Sequence, residues 1–373
     1  MSAKRKVWLA HGLGDEVDRA LRRIESLADV VVVAVMPDVH LASDVCIGTV
    51  TATRDTLIPN AVGGDIGCGM CALRFDLEAD RIDDRDTAAA ILAGLYDAVP
   101  IHRHRRGEEP AWPEALDAPL SDASLDSKKR DARLQLGTVG RGNHFVELQR
   151  DDEGALWAMV HTGSRGMGQA IREHHLHQCD EASVRSMGAS SDEGRAYLQD
   201  VAWARAYAKA NRAAIVDRLV TILADVLDAS PIPDTFVDAD HNHVQHEQHE
   251  QHAEPLWVHR KGAQSAREGE AGIIPGSMGT ASYHVVGRGC AAALCSSAHG
   301  AGRALSRTEA RKSISRRKLA ADTEGVWFDR RLMGKLREEA PAAYKDIGAV
   351  MRAQRDLVRV VRELRPVLVY KGA

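Results

Sequence analysis

One large α+β domain over residues 1–373 is the fold this sequence predicts, with the segment 1–29 its least defined part. Three observations point to it. Strand-like β-branched runs and helical, alanine-rich stretches both occur. Glycine-punctuated motifs are spread from residue 63 to residue 372, and no repeat period or low-complexity linker divides the chain. The first element is Val30-Val31-Val32-Val33-Ala34-Val35-Met36, a β-branched run ended by Pro37, which predicts a buried strand feeding a loop. Ile47–Thr53 alternates weakly and predicts a second strand. The glycine-rich turn at 63–70 leads into a third at 71–75. Residues 87–99 have helical spacing, whereas 100–119, with His102, His104 and several arginines, shows no period and reads as an irregular loop. Residues 137–149 and 156–161 predict two strands joined by the charged turn Asp151-Asp152-Glu153-Gly154. Residues 192–228 predict two helices, 272–279 a glycine turn, 341–364 a helix and 366–370 a terminal strand.

Composition narrows the function. Apolar residues make up 44% and charged residues 27%, an ordinary globular balance. No apolar run approaches the ~18–20 residues of a membrane helix, since the longest, 28–36, contains Asp29. The basic start lacks the apolar stretch of a signal peptide. These features predict a cytoplasmic protein with no membrane partner. A formal net charge of −4 gives no global basic field. Basic charge is nevertheless concentrated at 303–318, where seven basic residues stand against a single acid, Glu309. Aromatic residues at 4% disfavour a base-stacking platform for single strands. Six cysteines without a secretory signal read as thiols or metal ligands.

The sharpest chemical pattern is Asp65-x-x-Cys68, with Cys71 three residues on. A tight turn with buried thiols accounts for it, and so does a divalent metal held by mixed carboxylate and thiolate ligands. Histidine could complete such a site from three places: His144 in Gly142-Asn143-His144-Phe145-Val146-Glu147, His161 in a strand running into Thr162-Gly163-Ser164-Arg165, and His241 beside Asn242. The tract also holds His243, and its last three histidines, His246, His249 and His252, suit the solvated side of a helix. His299 sits among small residues in Ser297-Ala298-His299-Gly300-Ala301-Gly302-Arg303. There it could attack a phosphate stabilised by Arg303 one helical turn away, or form a helix packing contact. Lys371 belongs either to a frayed tail or to a phosphate site reached by the terminal strand.

Taken together, these segments resemble the RtcB family of RNA ligases. The likeness rests on Met36-Pro37-Asp38-Val39-His40, Gly63-Gly64-Asp65-Ile66-Gly67-Cys68-Gly69-Met70, Gly140-Arg141-Gly142-Asn143-His144-Phe145, His161-Thr162-Gly163-Ser164-Arg165-Gly166 and His241-Asn242. It continues through Arg260-Lys261-Gly262-Ala263, Ile274-Pro275-Gly276-Ser277-Met278-Gly279, Ser297 to Arg303, Ala343-Tyr344-Lys345-Asp346-Ile347 and Lys371-Gly372, in the family's order over roughly residues 30 to 373. The resemblance implies mixed and antiparallel sheets around a central metal cleft, flanked by helices, and a GTP-dependent ligase using two Mn²⁺. Asp65, Cys68 and His144 would hold one ion, and Cys68, His161 and His241 the other. His299 would be the histidine that takes up GMP. Asn143, Glu147, Asn242, Pro275, Gly276, Ser277, Met278, Ser282, Gly300, Ala301, Gly302 and Lys371 would bind GTP, with Glu147 reading the guanine edge. Arg303 and Arg165 would contact phosphate or RNA, and the basic stretch 303–318 would help hold phosphates.

The implied substrate is RNA with a 3′-phosphate or 2′,3′-cyclic phosphate end and a 5′-hydroxyl end, in tRNA splicing or RNA repair. Archease enters as a candidate activating partner, and a monomer is the default state. One departure stands out: residues 41–44 are Leu-Ala-Ser-Asp where relatives carry glycines, which makes that backbone less permissive. Two other classes compete. A metal-dependent cyclic-phosphate or phosphodiester hydrolase would use the same ligands but no nucleotide, and a non-catalytic RNA- or nucleotide-binding protein would not need the full ligand set.

Overall fold

The computed structural model describes residues 4–42, 44–179 and 183–372, so Ser43 of the unusual 41–44 segment lies outside the described residues. Two sheets organise the chain. The larger has seven strands in the order Ala271–Ile274, Ser282–Gly287, Val358–Tyr370, Phe145–Asp151, Ala155–Thr162, Gly69–Glu78 and Pro231–Asp240. Every neighbouring pair in it is antiparallel. The smaller has five, in the order Lys4–Val7, Val30–His40, Ile47–Thr53, Leu256–Lys261 and Asn242–Glu247. Only its first pair is parallel, which ties the N-terminal segment to the sheet as an edge strand.

Alternation along each strand sends side chains to two faces. Cys71, Leu73 and Phe75 meet Ile91 and Leu95 of the helix Arg85–Ala98 and Ile215, Leu219 and Leu223 of the helix Asp192–Leu227. Met70 and Ala72, one residue out of phase, pack with Trp157, Met159 and Ile273 on the other face. The smaller sheet is buried likewise, with Val33 and Val35 under the helix Asp15–Glu25 and Ala34 and Met36 against the segment that carries Ala298 and Ala301. Among the described residues no helix is long and apolar enough to cross a membrane.

Several elements depart from the sequence reading, and the strand expected at 137–149 begins only at Phe145, after a loop turned by Gly137, Gly140 and Gly142 at positive φ. The first strand runs through Pro37 to His40, because the pairing register shifts between Val35 and His40 and the proline's missing N–H costs no ladder bond there. Residues 192–227 form one helix of 36 residues rather than two, capped by the Ser191 side chain and without an internal proline to break it. The 341–364 stretch is not one helix: it gives the short helix Ile347–Ala353 and then the 13-residue strand Val358–Tyr370. Pairing on both edges of that strand overrides local helical spacing, and Pro366 sits at its register shift. The histidine tract is the strand Asn242–Glu247 rather than a helix, with His246 stacked on Trp257 and His249 buried beside Glu247.

Candidate active site

Antiparallel pairing explains why residues far apart in sequence meet at one edge of the seven-stranded sheet. Phe145 begins its strand opposite His161, Met70 opposes His161 from the other side, and Gly69 opposes Asp240. His144, His161, Cys68 and His241 therefore emerge side by side, and His241 lies where the chain leaves the larger sheet for the smaller. Nε2 of His161 and of His144 lie 3.4 and 3.5 Å from Cys68 Sγ. His144 Nε2 is also 2.8 Å from Asp65 Oδ2. Two groups result, Asp65–Cys68–His144 and Cys68–His161–His241, each with ligand atoms within 4.8 Å of one another and Cys68 common to both.

The surroundings favour a cation. Burial pushes the Cys68 thiol well above its ordinary value, and the Asp65 carboxylate adds to the shift. A divalent ion reverses that balance, because thiolate charge is then neutralised at the site. Burial also opposes the charge on Asp65, but His144 and Arg165 hold its carboxyl below the usual carboxylate value. His161 and His241 are held well below the ordinary imidazole value by burial and by neighbouring histidines, which leaves them neutral and able to ligate. His241 Nδ1 is buried without a hydrogen-bond partner, the condition of an imidazole nitrogen awaiting an ion. His144 Nδ1 lies 3.1 Å from the Val139 carbonyl, so its N–H points there and Nε2 keeps its lone pair for the cluster.

The loops bearing these residues are clamped by the middle of the long helix. Buried Asn211 accepts from the Gly137 and Thr138 N–H groups at 2.7 and 3.1 Å and donates to the Thr138 and Gly163 carbonyls. Arg212, 2% exposed, donates to the Gly67 carbonyl at 2.9 Å and the Thr162 carbonyl at 3.1 Å, the residues flanking Cys68 and His161. Gly140 is required by its surroundings. Its φ is +98°, and a Cβ there would lie 2.0 Å from the Arg165 guanidinium and 2.7 Å from His144 Nδ1.

Beside the cluster opens a cavity of about 420 Å³. His299 lines it, with its ring centroid 4.6 Å from that of His241. Fully buried Asp38 lies 2.7 Å from His299 Nδ1 through Oδ2, so the carboxylate accepts a hydrogen bond from Nδ1–H and the lone pair is left on Nε2. Gly302, at φ +72°, lets the turn after His299 pass over the Asp38 backbone, where a Cβ would be 2.2 Å from the Asp38 carbonyl oxygen. Burial raises the Glu147 carboxyl to about 8, even though Gln149 Nε2 donates to it at 2.6 Å. Lys371 Nζ reaches Glu339 at 3.1 Å and the His144 carbonyl at 3.2 Å, and burial lowers its pKa.

Most residues singled out in the sequence line this cavity: Asn143, Glu147, Pro275, Gly276, Ser277, Met278, Ser282, Gly300, Ala301, Gly302, Arg303 and Lys371. Two do not. Asn242 bridges the Asp65 carbonyl and the Gly262 N–H, as a strut behind the Asp65–Cys68 turn. Arg165 lies against Thr138, His144 and the Ile101 carbonyl at the cluster's outer side. No helix begins at His299. The strand Ser296–Ala298 precedes it, the next helix starts at Arg307, and Arg303 is engaged with Glu339 and Tyr344. Sequence reasoning assigned no role to Asp38, His40, Glu339 or the Asn211–Arg212 pair, whereas Arg307, part of the basic stretch expected to hold phosphates, does line the cavity. For Asp38 a signal existed, an acid following Pro37 at the end of an apolar run. For Asn211 and Arg212 nothing sets them apart from an ordinary helix.

Comparison with known proteins agrees with this geometry. The family model described as tRNA-splicing ligase RtcB matches residues 20–372. RNA-splicing ligase RtcB of Escherichia coli strain K12 is 39% identical over 372 residues, covering 91% of this chain and 90% of that protein. RNA-splicing ligase RtcB1 of Escherichia coli strain ATCC 25922 has the same identity and coverage. RNA-splicing ligase RtcB of Mycobacterium tuberculosis strain H37Rv is 31% identical over 420 residues, covering 90% of this chain and 96% of that protein. With a family match over nearly its whole length and a buried Asp–Cys–His cluster at the sheet edge, this chain belongs to the RtcB family.

Proposed function

We propose that this protein is an RNA ligase that joins a 3′-phosphate or 2′,3′-cyclic phosphate end to a 5′-hydroxyl end, consuming GTP and using two Mn²⁺. The observation that carries the reading is the juxtaposition of His299, backed by Asp38, with a cluster able to hold two ions that share Cys68. Asp65, Cys68 and His144 would hold one Mn²⁺, and Cys68, His161 and His241 the other; bound there, the ions supply Lewis-acid polarisation of phosphate oxygens. The donor set of thiolate, imidazole and carboxylate suits a borderline divalent ion.

The chain's own residues account for the first step. His299 Nε2 attacks the α-phosphorus of GTP, a P–N bond forms, the bond to the β-phosphate breaks and pyrophosphate leaves. Asp38, staying ionised, holds the proton on Nδ1 and balances the charge that develops on the ring. Glu147, once ionised, accepts from the two N–H groups on the guanine edge, a pattern adenine lacks. Lys371 and the 275–278 and 300–302 turns enclose the nucleotide. In the later steps water opens a cyclic end to the 3′-phosphate, the P–O2′ bond breaking, and an oxygen of that 3′-phosphate then displaces the histidine from GMP as the P–N bond breaks. The 5′-hydroxyl oxygen then attacks that activated phosphate, loses its proton and expels GMP. A hydrolase would use the cluster but leave the Asp38–His299 pair and the nucleotide-sized cavity without a task. We place this activity in one catalytic domain, acting as a cytoplasmic monomer, with archease as a candidate partner.

The test is incubation with α-labelled GTP and Mn²⁺ without RNA, followed by denaturing detection of protein-bound GMP, with His299→Ala alongside. A manganese-dependent adduct absent from the variant supports the ligase. If no adduct forms with any divalent metal, with or without archease, the ligase reading falls, and phosphate release from a cyclic end becomes the measurement of interest.

A further inference from the structure

Beside the cluster, and not among the residues that line the cavity, lies a group of arginines that the reaction above does not use. The loop after Pro100 is fastened to the turn that carries His144: Val139 N–H donates to the Pro100 carbonyl at 3.1 Å and Gly140 N–H to the Ile101 carbonyl at 2.9 Å. His104 is buried and its N–H is held by the Leu134 carbonyl at 2.7 Å, so the loop is anchored on both sides. Between and beyond these anchors Arg103, Arg105 and Arg106 are exposed, and Arg141 is exposed on the adjoining turn. The loop's acids do little to neutralise them. Glu109 accepts from the Gly107 N–H, and Glu108 reaches only Arg105, at 4.0 Å. Arg103, Arg106 and Arg141 have no ion pair among the described residues. Burial, then the charges of Arg141 and Arg165, hold the His102 imidazole below its ordinary value, which places all three groups in one field.

This field is continuous with the chemistry. Arg165 donates to the Ile101 carbonyl at 3.4 Å and lies 3.4 Å from His144 Nδ1, so it links the loop to a proposed metal ligand. We propose that Arg103, Arg106 and Arg141 form a landing surface for the sugar–phosphate backbone of the RNA substrate, leading its reacting end past Arg165 to the cluster. The inference rests on the ligase reading for the identity of the polyanion. A run of unpaired guanidinium groups ending at a phosphate-transfer centre suits a chain with one anionic charge per residue whose terminus must reach that centre. An acidic protein partner would not need the field to extend to the cluster. The chain's net charge of −4 makes such a local surface necessary, since no global field draws RNA in.

The experiment measures binding of a labelled single-stranded RNA bearing a 5′-hydroxyl and a 3′-phosphate, without GTP, across a salt series. The triple variant Arg103→Ala/Arg106→Ala/Arg141→Ala removes three phosphate contacts, so the slope of log K against log salt should fall by about 2. That corresponds to about 100-fold weaker binding at 0.1 M salt, with affinities converging near 1 M. Arg141→Gln alone should lower the slope by about 0.7 and keeps the test informative if the triple variant folds poorly. The control Arg81→Ala/Arg85→Ala removes exposed charge beyond the far end of the Gly69–Glu78 strand, about 30 Å from Cys68. Equal RNA affinity of the triple variant and the parent overturns the proposal, and so does an equal loss per charge in the control. GMP–protein formation, read on the same preparations, is independent of the loop. If the variants lose slope as predicted but the parent never forms the adduct, the ligase reading fails and the RNA surface stands. Loop-dependent binding of archease with no change in RNA affinity would assign the surface to a protein instead.

Discussion

Replacing Arg212 with methionine should separate what holds the fold from what holds the cluster. The guanidinium is 2% exposed as a residue and lies 2.5 Å from Asp238, whose side chain is 11% exposed. Removing one partner of a buried pair leaves the other charge uncompensated, which costs about 3–5 kcal/mol. Unfolding entropy of about 2.1 cal/mol/K per residue gives roughly 0.8 kcal/mol/K for a chain of 373 residues, so Tm should fall by about 4–6 °C. The double variant Arg212→Met/Asp238→Leu removes both charges and should recover most of that loss, because a buried pair and an apolar replacement are close in energy. The cluster should not recover with it. In both variants the Gly67 and Thr162 carbonyls lose their donor, the peptides beside Cys68 and His161 are no longer fixed, and metal affinity should fall 10–100-fold. Thermal unfolding and equilibrium Mn²⁺ titration of the three proteins provide the readouts. A double variant as unstable as the single one, or unchanged metal affinity in both, would refute the reasoning.

Three further outcomes follow from the site. Cys68→Ser replaces the sulfur common to both ligand groups, so elemental analysis after Mn²⁺ loading should show loss of both ions rather than one; retention of a full ion would contradict the shared-ligand geometry. Asp38→Asn keeps the shape but can present an N–H to His299 Nδ1, which moves the ring proton to Nε2. Single-turnover adduct formation should then drop by about 10³–10⁴ with GTP affinity unchanged. Glu147, raised to about 8 by burial, must lose its proton before it can accept from guanine. GTP affinity should therefore rise with pH and level off above 8, being about tenfold weaker at pH 7 than the plateau. Glu147→Gln should abolish this dependence and the preference for guanine over adenine, and a pH-independent affinity of the parent would remove Glu147 from that role.

Some of this was legible in the chain because it is local chemistry. The run 30–36 could only be a buried strand, and the glycine turns around Cys68 and His161 announced places where backbone and side chains crowd a small volume. What was not legible depends on pairing at a distance. Asp38 and His299 are 261 residues apart, and nothing in either segment names the other. The 358–364 residues satisfy helical spacing as well as strand alternation, and only the presence of strands on both sides decides between them. The histidine tract was misread for the same reason: Asn242–Glu247 is fixed by its full register with Leu256–Lys261, not by its own composition.

The shared position of Cys68 follows from strand order. At the sheet edge the successive strands bring His144, His161, Cys68 and His241, in that sequence across the sheet. Strands lie about 4.8 Å apart, so the backbones bearing His144 and His241 are roughly 14 Å from each other. A single ion with ligand bonds of about 2 Å would struggle to collect the whole set. Cys68 stands inside the span, next to the strand of His161 on one side and that of His241 on the other, while Asp65 on the same turn reaches His144. The set therefore divides into two groups that meet at the one short, polarisable side chain between them. The topology thus offers two places for a cation, and ions bound at both would put two positive centres beside His299.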